Sequence, residues 1–293
     1  MREYLVSFMR EFAYPEREAS KLLDAFDLLT EACENELFEL VSEYDRGYGI
    51  DFEQAIDRMK ALSELAGIHE YTGALILFLC YTKRLREYYS EAGIPDGVFR
   101  NTVLDLRYKL DECVCVHGIV GTFVAKWFSG FFNLTRFALG RLQFEIIDFA
   151  AEYEKDGLKL TPDSRVINVH IPRTLTRLDR ESTLDAYRLA KEFFAPSLGE
   201  SPVFVCSSWL LFPRHKEMLK QGSNLLAFIG DYELFASGEY PDYKEVWRLF
   251  DTLYDGDPTH LPADTSLRRA YIDLIRNDEK TGWGRGLFVY KDN

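Results

Sequence analysis

A histidine and an asparagine stand two residues apart in RVINVHIP (165–172), a run whose other members are nearly all apolar. Period-2 alternation sends Ile167, Val169 and Ile171 one way and Val166, Asn168 and His170 the other. Both polar types are unusual in a strand that looks central. Imidazole titrates near neutrality, so His170 has the chemistry to take a proton from a nucleophile, with Asn168 beside it to position a substrate. GRLQFEI (140–146) alternates in the same way, with Leu142, Phe144 and Ile146 on one side and Arg141, Gln143 and Glu145 on the other. That polar side is either a solvent-facing sheet surface or one wall of a cleft. The loop RTLTRLDR (173–180) follows Pro172 and is basic. Between Arg165 and Arg180 there are four arginines (165, 173, 177 and 180) and a single acid, Asp179. A helix beginning near Asp179 or Ser182 would add unpaired N–H groups, and together they make an anion site. The competing view is that these arginines are solvated and offset acidic surface elsewhere.

Three strand-like runs carry these groups between Phe137 and Pro213: FALGRLQFEII, RVINVHIP and PVFVCSSWLLFP. An amphipathic helix with Leu184, Tyr187, Ala190, Phe193 and Phe194 on its apolar side lies between the second and third. Strand, loop, helix and strand in that order form a βαβ-like unit. Pro172 ends pairing because it lacks an N–H, which leaves nearby backbone groups for a ligand or water. The third run is apolar on both faces and belongs inside a sheet. Ser207 and Ser208 interrupt it, but no G-x-S-x-G elbow surrounds them, which argues against a serine hydrolase. Nothing nearby would lower the pKa of Cys206, so a cysteine nucleophile is also disfavoured. DGLKLTPDS reads as a turn-rich connector, DYKEVWRLFDTLYDG and SLRRAYIDLIRNDE as helices, and GWGRGLFVYKDN as a closing strand.

Upstream, residues 1 to about 128 are helical in pattern, with Leu22, Leu23, Phe26, Leu29, Cys33, Leu37, Leu40 and Val41 at helical spacing. The texture changes at HGIVGTFVAKWFSGFFNL, and a domain boundary is expected there. The most apolar run, TGALILFLCY, is too short to span a bilayer and reads as a buried helix. With 35 Lys plus Arg against 48 Asp plus Glu, the net charge of −13 disfavours a phosphate-backbone partner. MREYLVSFMREF has no apolar stretch typical of an export signal. Five scattered cysteines then point to free thiols in a reducing cytoplasm, with no membrane association. Cys113-x-Cys115 with His117 does not complete a zinc pattern, so no metal is expected.

Five phrases in order carry a resemblance: LGRLQFE (139–145), INVHIP (167–172), L-x-x-E-S-x-L-D-A-Y-R-x-A-x-x-F-F (178–194), FVCSSWLLFP (204–213) and SNLLAF (223–228). The chain resembles bacterial acyltransferases that join a helical N-terminal N-acyltransferase domain to a C-terminal domain like GNAT, the acetyl-CoA-dependent N-acyltransferase superfamily. The resemblance implies an α+β chain: an all-helical domain over 1–128, then a mixed sheet flanked by helices over 129–293. It implies a pantetheine arm lying between two splayed strands, RVINVHIP and PVFVCSSWLLF. The CoA pyrophosphate would meet residues 173–182, with Ile171, Arg173, Arg177, Arg180 and Ser182 as cofactor contacts. GNAT phosphate loops are glycine-rich, and this one has no glycine, which shifts the contacts to arginine side chains or abolishes them.

The implied reaction moves an acyl group from acetyl-CoA or another acyl-CoA to a small-molecule amine, by direct attack in a ternary complex. His170 would take the amine proton and Tyr232 would protonate the leaving thiolate. Asn168, Arg141, Glu145, Ser207 and Trp209 would hold substrate. The acidity of the helical half suits a cationic amine. The alternative is a non-catalytic GNAT-like module that binds an anionic ligand or a partner protein, and a scaffold role is a third possibility.

Overall fold

The computed structural model describes residues 1–174, 176–199 and 201–291. The chain divides into two compact units, Met1–Phe137 and Ala138–Asn293.

The first unit is built from α1 (Arg2–Glu11), α2 (Glu16–Arg46), α3 (Phe52–Leu65), α4 (Glu70–Glu91), α5 (Asp96–His117) and a final turn, α6 (Ser129–Phe132). Local signals set their ends. The Asp51 carboxylate accepts from the Gln54 N–H at 3.0 Å and starts α3. Gly118, at φ +70°, supplies the left-handed residue that closes α5. α2 is kinked at Cys33, where the backbone leaves helical geometry (φ −155°, ψ 50°). The apolar run 72–81 forms the middle of α4, and Leu75, Ile76, Leu77 and Phe78 are wholly buried. Rings from several elements meet around it. Tyr44 stacks on Tyr81 at 4.6 Å, and Phe132 and Phe128 lie 4.9 and 5.1 Å from Phe78. Much of the aromatic stretch after residue 117 is thus core of the helical unit, and such ring pairs add to the burial they bring.

The second unit is organised by a six-stranded sheet. Its strands are β1 (Arg136–Leu139), β2 (Leu142–Asp148), β5 (Arg165–His170), β6 (Val203–Ser208), β8 (Gly282–Val289) and β7 (Glu233–Glu239), in that spatial order. The run FALGRLQFEII, expected as one strand, is two. Gly140 at φ +64° turns the chain between β1 and β2. The connector holds a small hairpin, β3 (Tyr153–Lys155) and β4 (Leu158–Leu160), turned by Asp156 and Gly157 at φ 51° and 84°. Helix α7 (Arg180–Leu198) crosses from β5 to β6, which are parallel.

Helix α7 covers one sheet face. Tyr187 reaches Phe204 at 5.4 Å and Phe288 at 4.8 Å, and Phe204 stacks on Phe288. On the opposite face, Val166, Val205 and Leu287 form a core with Phe149 and Leu160, closed by Tyr153 and Leu158 of the hairpin. The remaining short helices are α8 (His215–Met218), α9 (Asn224–Gly230), α10 (Trp247–Phe250) and α11 (Ser266–Arg276). Tyr271, Ile272 and Ile275 of α11 pack with Val246 and Phe250. The helix expected over DYKEVWRLFDTLYDG is shorter than its pattern, because Asp251 turns left-handed (φ 59°) and stops it.

Candidate active site

β5 and β6 keep parallel register at only two positions, Ile167 with Phe204 and Asn168 with Val205. On their outer sides both strands stay paired much further. β5 matches β2 from Arg165 to His170, and β6 matches β8 from Val203 to Ser208. The two central strands therefore part beyond Asn168 and Val205. Their facing edges carry backbone groups that no neighbouring strand uses, and such groups must find partners elsewhere.

The polar residues gather beside this opening. Register places Glu145 opposite Asn168 and Gln143 opposite His170, so all four project from the face away from α7. Glu145 Oε1 lies 2.6 Å from His170 Nε2, and Asn168 Nδ2 donates to the same carboxylate oxygen at 3.1 Å. Asn168 Nδ2 is also 3.1 Å from His170 Nε2. The Glu145 and His170 side chains are 14% and 20% exposed, sheltered from bulk water yet within reach of a ligand. A short carboxylate–imidazole contact of this kind fixes the orientation of the ring.

The loop after β5 carries the arginines. Arg141 Nη1 donates to the Pro172 carbonyl at 3.0 Å and steadies the start of that loop. Arg173 Nη1 is buried 2.8 Å from Asp251 Oδ1 and forms an ion pair with it. Arg180 pairs with Asp231, whose second oxygen is buried without a hydrogen-bond partner. Arg177 is exposed and has no ion pair among the described residues. Asp179 caps α7 by accepting from the Ser182 N–H at 2.9 Å. That bond, with the Ser182 hydroxyl and the charges of Arg141 and Arg177, holds its carboxyl below the usual range. Ser182 Oγ itself donates to the Asp179 carbonyl. Ile171 follows β5 directly and is half-buried.

The structure does not bring every expected residue to the carboxylate–imidazole pair. Tyr232 is buried on the α7 side of the sheet, 5.2 Å from Phe288, with its hydroxyl 2.9 Å from that of Tyr187. Burial pushes both phenols well above their ordinary pKa. Trp209 packs into the core around α11, with its ring 6.2 Å from that of Tyr271. Ser207 is exposed on the polar face, while Ser208 points the other way and accepts from the Leu210 N–H. Cys206 is buried, which pushes its thiol up to about 12, far from a nucleophile's range.

Two acids beside the arginine loop carry no local sequence signal. Asp231 and Asp251 neutralise loop arginines from well downstream in sequence. Gln143 is 1% exposed, and its Oε1 has no partner. Among the described residues no group of three or more His, Cys, Asp or Glu could hold a metal. No helix of the described residues is long and apolar enough to cross a membrane.

Residues 3–134 match the N-acyltransferase N-terminal domain, and residues 136–288 match the GNAT-like C-terminal domain. No curated protein matches by sequence. Among solved structures, an acyltransferase in complex with decanoyl-CoA and teicoplanin is similar at 20% identity and TM-score 0.73, over 97% of this chain and 87% of that one. A mutant acyltransferase in complex with octanoyl-CoA is similar at 20% identity and TM-score 0.74, over 99% and 88%. At such identities the likeness speaks for the fold. Together the two domain matches span nearly the whole chain, which belongs to the family that couples an N-acyltransferase N-terminal domain to a GNAT-like C-terminal domain.

Proposed function

We propose that the protein transfers an acyl group from an acyl-CoA thioester to an amine. One observation carries this reading: β5 and β6 part after two paired positions, and the opening lies beside Glu145, Asn168 and His170. An extended arm with amides, such as pantetheine, fits an edge that offers unused backbone donors and acceptors. The similar structures contain octanoyl-CoA and decanoyl-CoA, which makes medium-chain acyl-CoAs the first donors to try.

In this reading the amine arrives protonated, drawn by the net negative charge, and must lose a proton before it can attack. The Glu145–His170 pair receives that proton. The amine nitrogen then bonds to the thioester carbonyl carbon, and an N–H on the parted edge of β5 faces the developing oxyanion. The C–S bond breaks, the thiolate leaves, and the second proton of the attacking nitrogen passes to it directly or through water, giving the amide and the CoA thiol. Asn168 holds the carboxylate in place. Arg173, Arg177 and Arg180 meet the CoA phosphates through side chains, since the loop has no glycine to bring backbone N–H groups close. The similar structure with teicoplanin bound makes a glycopeptide amine one acceptor class to include. Five free thiols suit a reducing cytoplasm as its compartment.

The test is thiol release from octanoyl-CoA in the presence and absence of an amine panel, with mass spectrometry of the products. Amine-dependent CoA release with an N-acylated product supports the reading. A protein that binds no acyl-CoA at millimolar concentration contradicts it and favours a second reading, a GNAT-like module without acyl-CoA chemistry. The acids already beside Arg173 and Arg180 are the observation in favour of that second reading.

A further inference from the structure

The polar face continues across the opening to a residue with no role so far. Register aligns Ser207 of β6 with Arg285 of β8, and Ala236 of β7 with Arg285. Val205 shares its face with Asn168, so Ser207 and Arg285 stand on the same face as His170, one step further along the strands. A row thus crosses the sheet: Gln143 and His170 on one side of the opening, Ser207 and Arg285 on the other. Two strand spacings separate His170 from Arg285, about 10 Å before the parting of β5 and β6 is added.

Arg285 is half-buried in its strand, and its guanidinium has no ion pair or hydrogen bond among the described residues. In a chain with a net charge of −13 that is unusual. The two carboxylates that register puts on this face, Glu145 and Glu233, are both engaged. Glu145 holds His170 and Asn168, and Glu233 accepts from Tyr153 and Lys155 at 2.7 and 2.8 Å. The guanidinium carbon lies 5.9 Å from the centre of the Trp283 ring. That indole is seated over Gly238, where a Cβ would come within 3.0 Å of it. The tryptophan flanks the arginine on one side, and the opening lies on the other, beyond the exposed Ser207.

We propose that Arg285 selects the acceptor: the substrate is an amine that also carries a carboxylate, and Arg285 binds that carboxylate while the amine faces Glu145 and His170. This rests on the acyl-transfer reading above. A planar guanidinium binds a carboxylate through two parallel N–H bonds, which a lysine cannot reproduce. Ser207 lies between the two ends and can bond the linking portion. A strand-borne arginine has a fixed base, so it reads the distance between amine and carboxylate as well as charge.

Matched acceptors test this. Primary amines with a carboxylate at increasing separation are offered as the free acid and as the methyl ester, with octanoyl-CoA as donor. The wild type is expected to prefer acids at least tenfold in kcat/KM at the best separation, expressed mainly in KM. In Arg285→Gln that acid-to-ester ratio falls towards one, in Arg285→Lys part of it survives, and in Arg285→Glu it inverts. Octanoyl-CoA binding, followed by calorimetry, is measured for every variant, and circular dichroism checks that each folds. Equal use of acids and esters by the wild type overturns the proposal, as does a ratio unchanged in Arg285→Gln. The same pairs titrated without donor give a readout free of turnover, and equal affinity of wild type for acid and ester also overturns it. Failure of octanoyl-CoA itself to bind marks the failure of the acyl-transfer reading instead.

Discussion

Glu145 and His170 meet on a diagonal. Glu145 stands opposite Asn168 in the β2–β5 register and His170 stands opposite Gln143, yet Glu145 Oε1 lies 2.6 Å from His170 Nε2. The carboxylate reaches along the strand past its direct neighbour, which instead donates to the same oxygen. The pair sits at the end of β5, where pairing with β6 has stopped, so this carboxylate–imidazole pair adjoins the place where the two parallel strands part.

If this pair takes the amine proton, Glu145→Gln and His170→Ala should each lower kcat by about 100-fold or more, the usual range for losing a general base. Acyl-CoA affinity, read by calorimetry, should change little. A matching loss of affinity in both variants would show that the pair supports the fold of the cleft and not the chemistry.

Arg177 is the loop arginine without an ion pair among the described residues. Arg177→Gln should therefore weaken CoA binding by about fivefold, on the order of 1 kcal/mol for a solvent-exposed charge contact. The effect should shrink with added salt. Arg180→Gln should cost less CoA affinity, because its charge is already shared with Asp231. Affinity that is insensitive to Arg173, Arg177 and Arg180 alike would move the phosphates away from this loop.

Tyr187 and Tyr232 share a hydrogen bond under α7, away from the polar face. Tyr232→Phe should lower stability to denaturant by about 1 kcal/mol, since it leaves the Tyr187 hydroxyl buried without that partner. Turnover should fall by less than about threefold, because general-acid roles are worth far more. A loss of 100-fold in kcat would instead restore Tyr232 as the donor to the thiolate.

His215 gives a pH dependence with a definite sign. It is wholly buried; Nδ1–H donates to the Leu210 carbonyl, and Nε2 accepts from the Tyr271 hydroxyl at 2.6 Å. Burial lowers its pKa, partly offset by the Leu210 bond. The unfolded chain therefore binds a proton before the native one does. The contribution to stability is complete above the unfolded value near 6.5 and is lost as pH falls through the folded value. One proton changes stability by at most about 1.4 kcal/mol per pH unit. Denaturant midpoints between pH 7.5 and 5 should show this slope in wild type and a shallower one in His215→Gln.

Much of this was legible in residue pattern, and the exceptions have physical causes. Alternation in RVINVHIP and GRLQFEI marks Asn168, His170 and Glu145 as polar members of buried strands, but only the pairing register brings them together. The Asp156–Gly157 turn is a strong hairpin signal, yet its flanking strands are three residues each, too short for alternation to register. FALGRLQFEII looks continuous because a single glycine, Gly140, makes the turn. Asp231 and Asp251 reach the arginine loop from distant segments, and long-range ion pairs leave no local trace. Arg285 is hidden in GWGRG, where the glycines draw attention: a Cβ at Gly284 would lie 2.1 Å from the Leu211 carbonyl oxygen.

A structure of the protein with CoA or octanoyl-CoA bound tests the central claim most directly. The account predicts the pantetheine arm between β5 and β6, bonded to backbone near Asn168–Ile171 and Val205–Ser208, with the sulfur beside Glu145 and His170 and the phosphates on residues 173–182. CoA lodged elsewhere, or no binding at millimolar concentration, would contradict it.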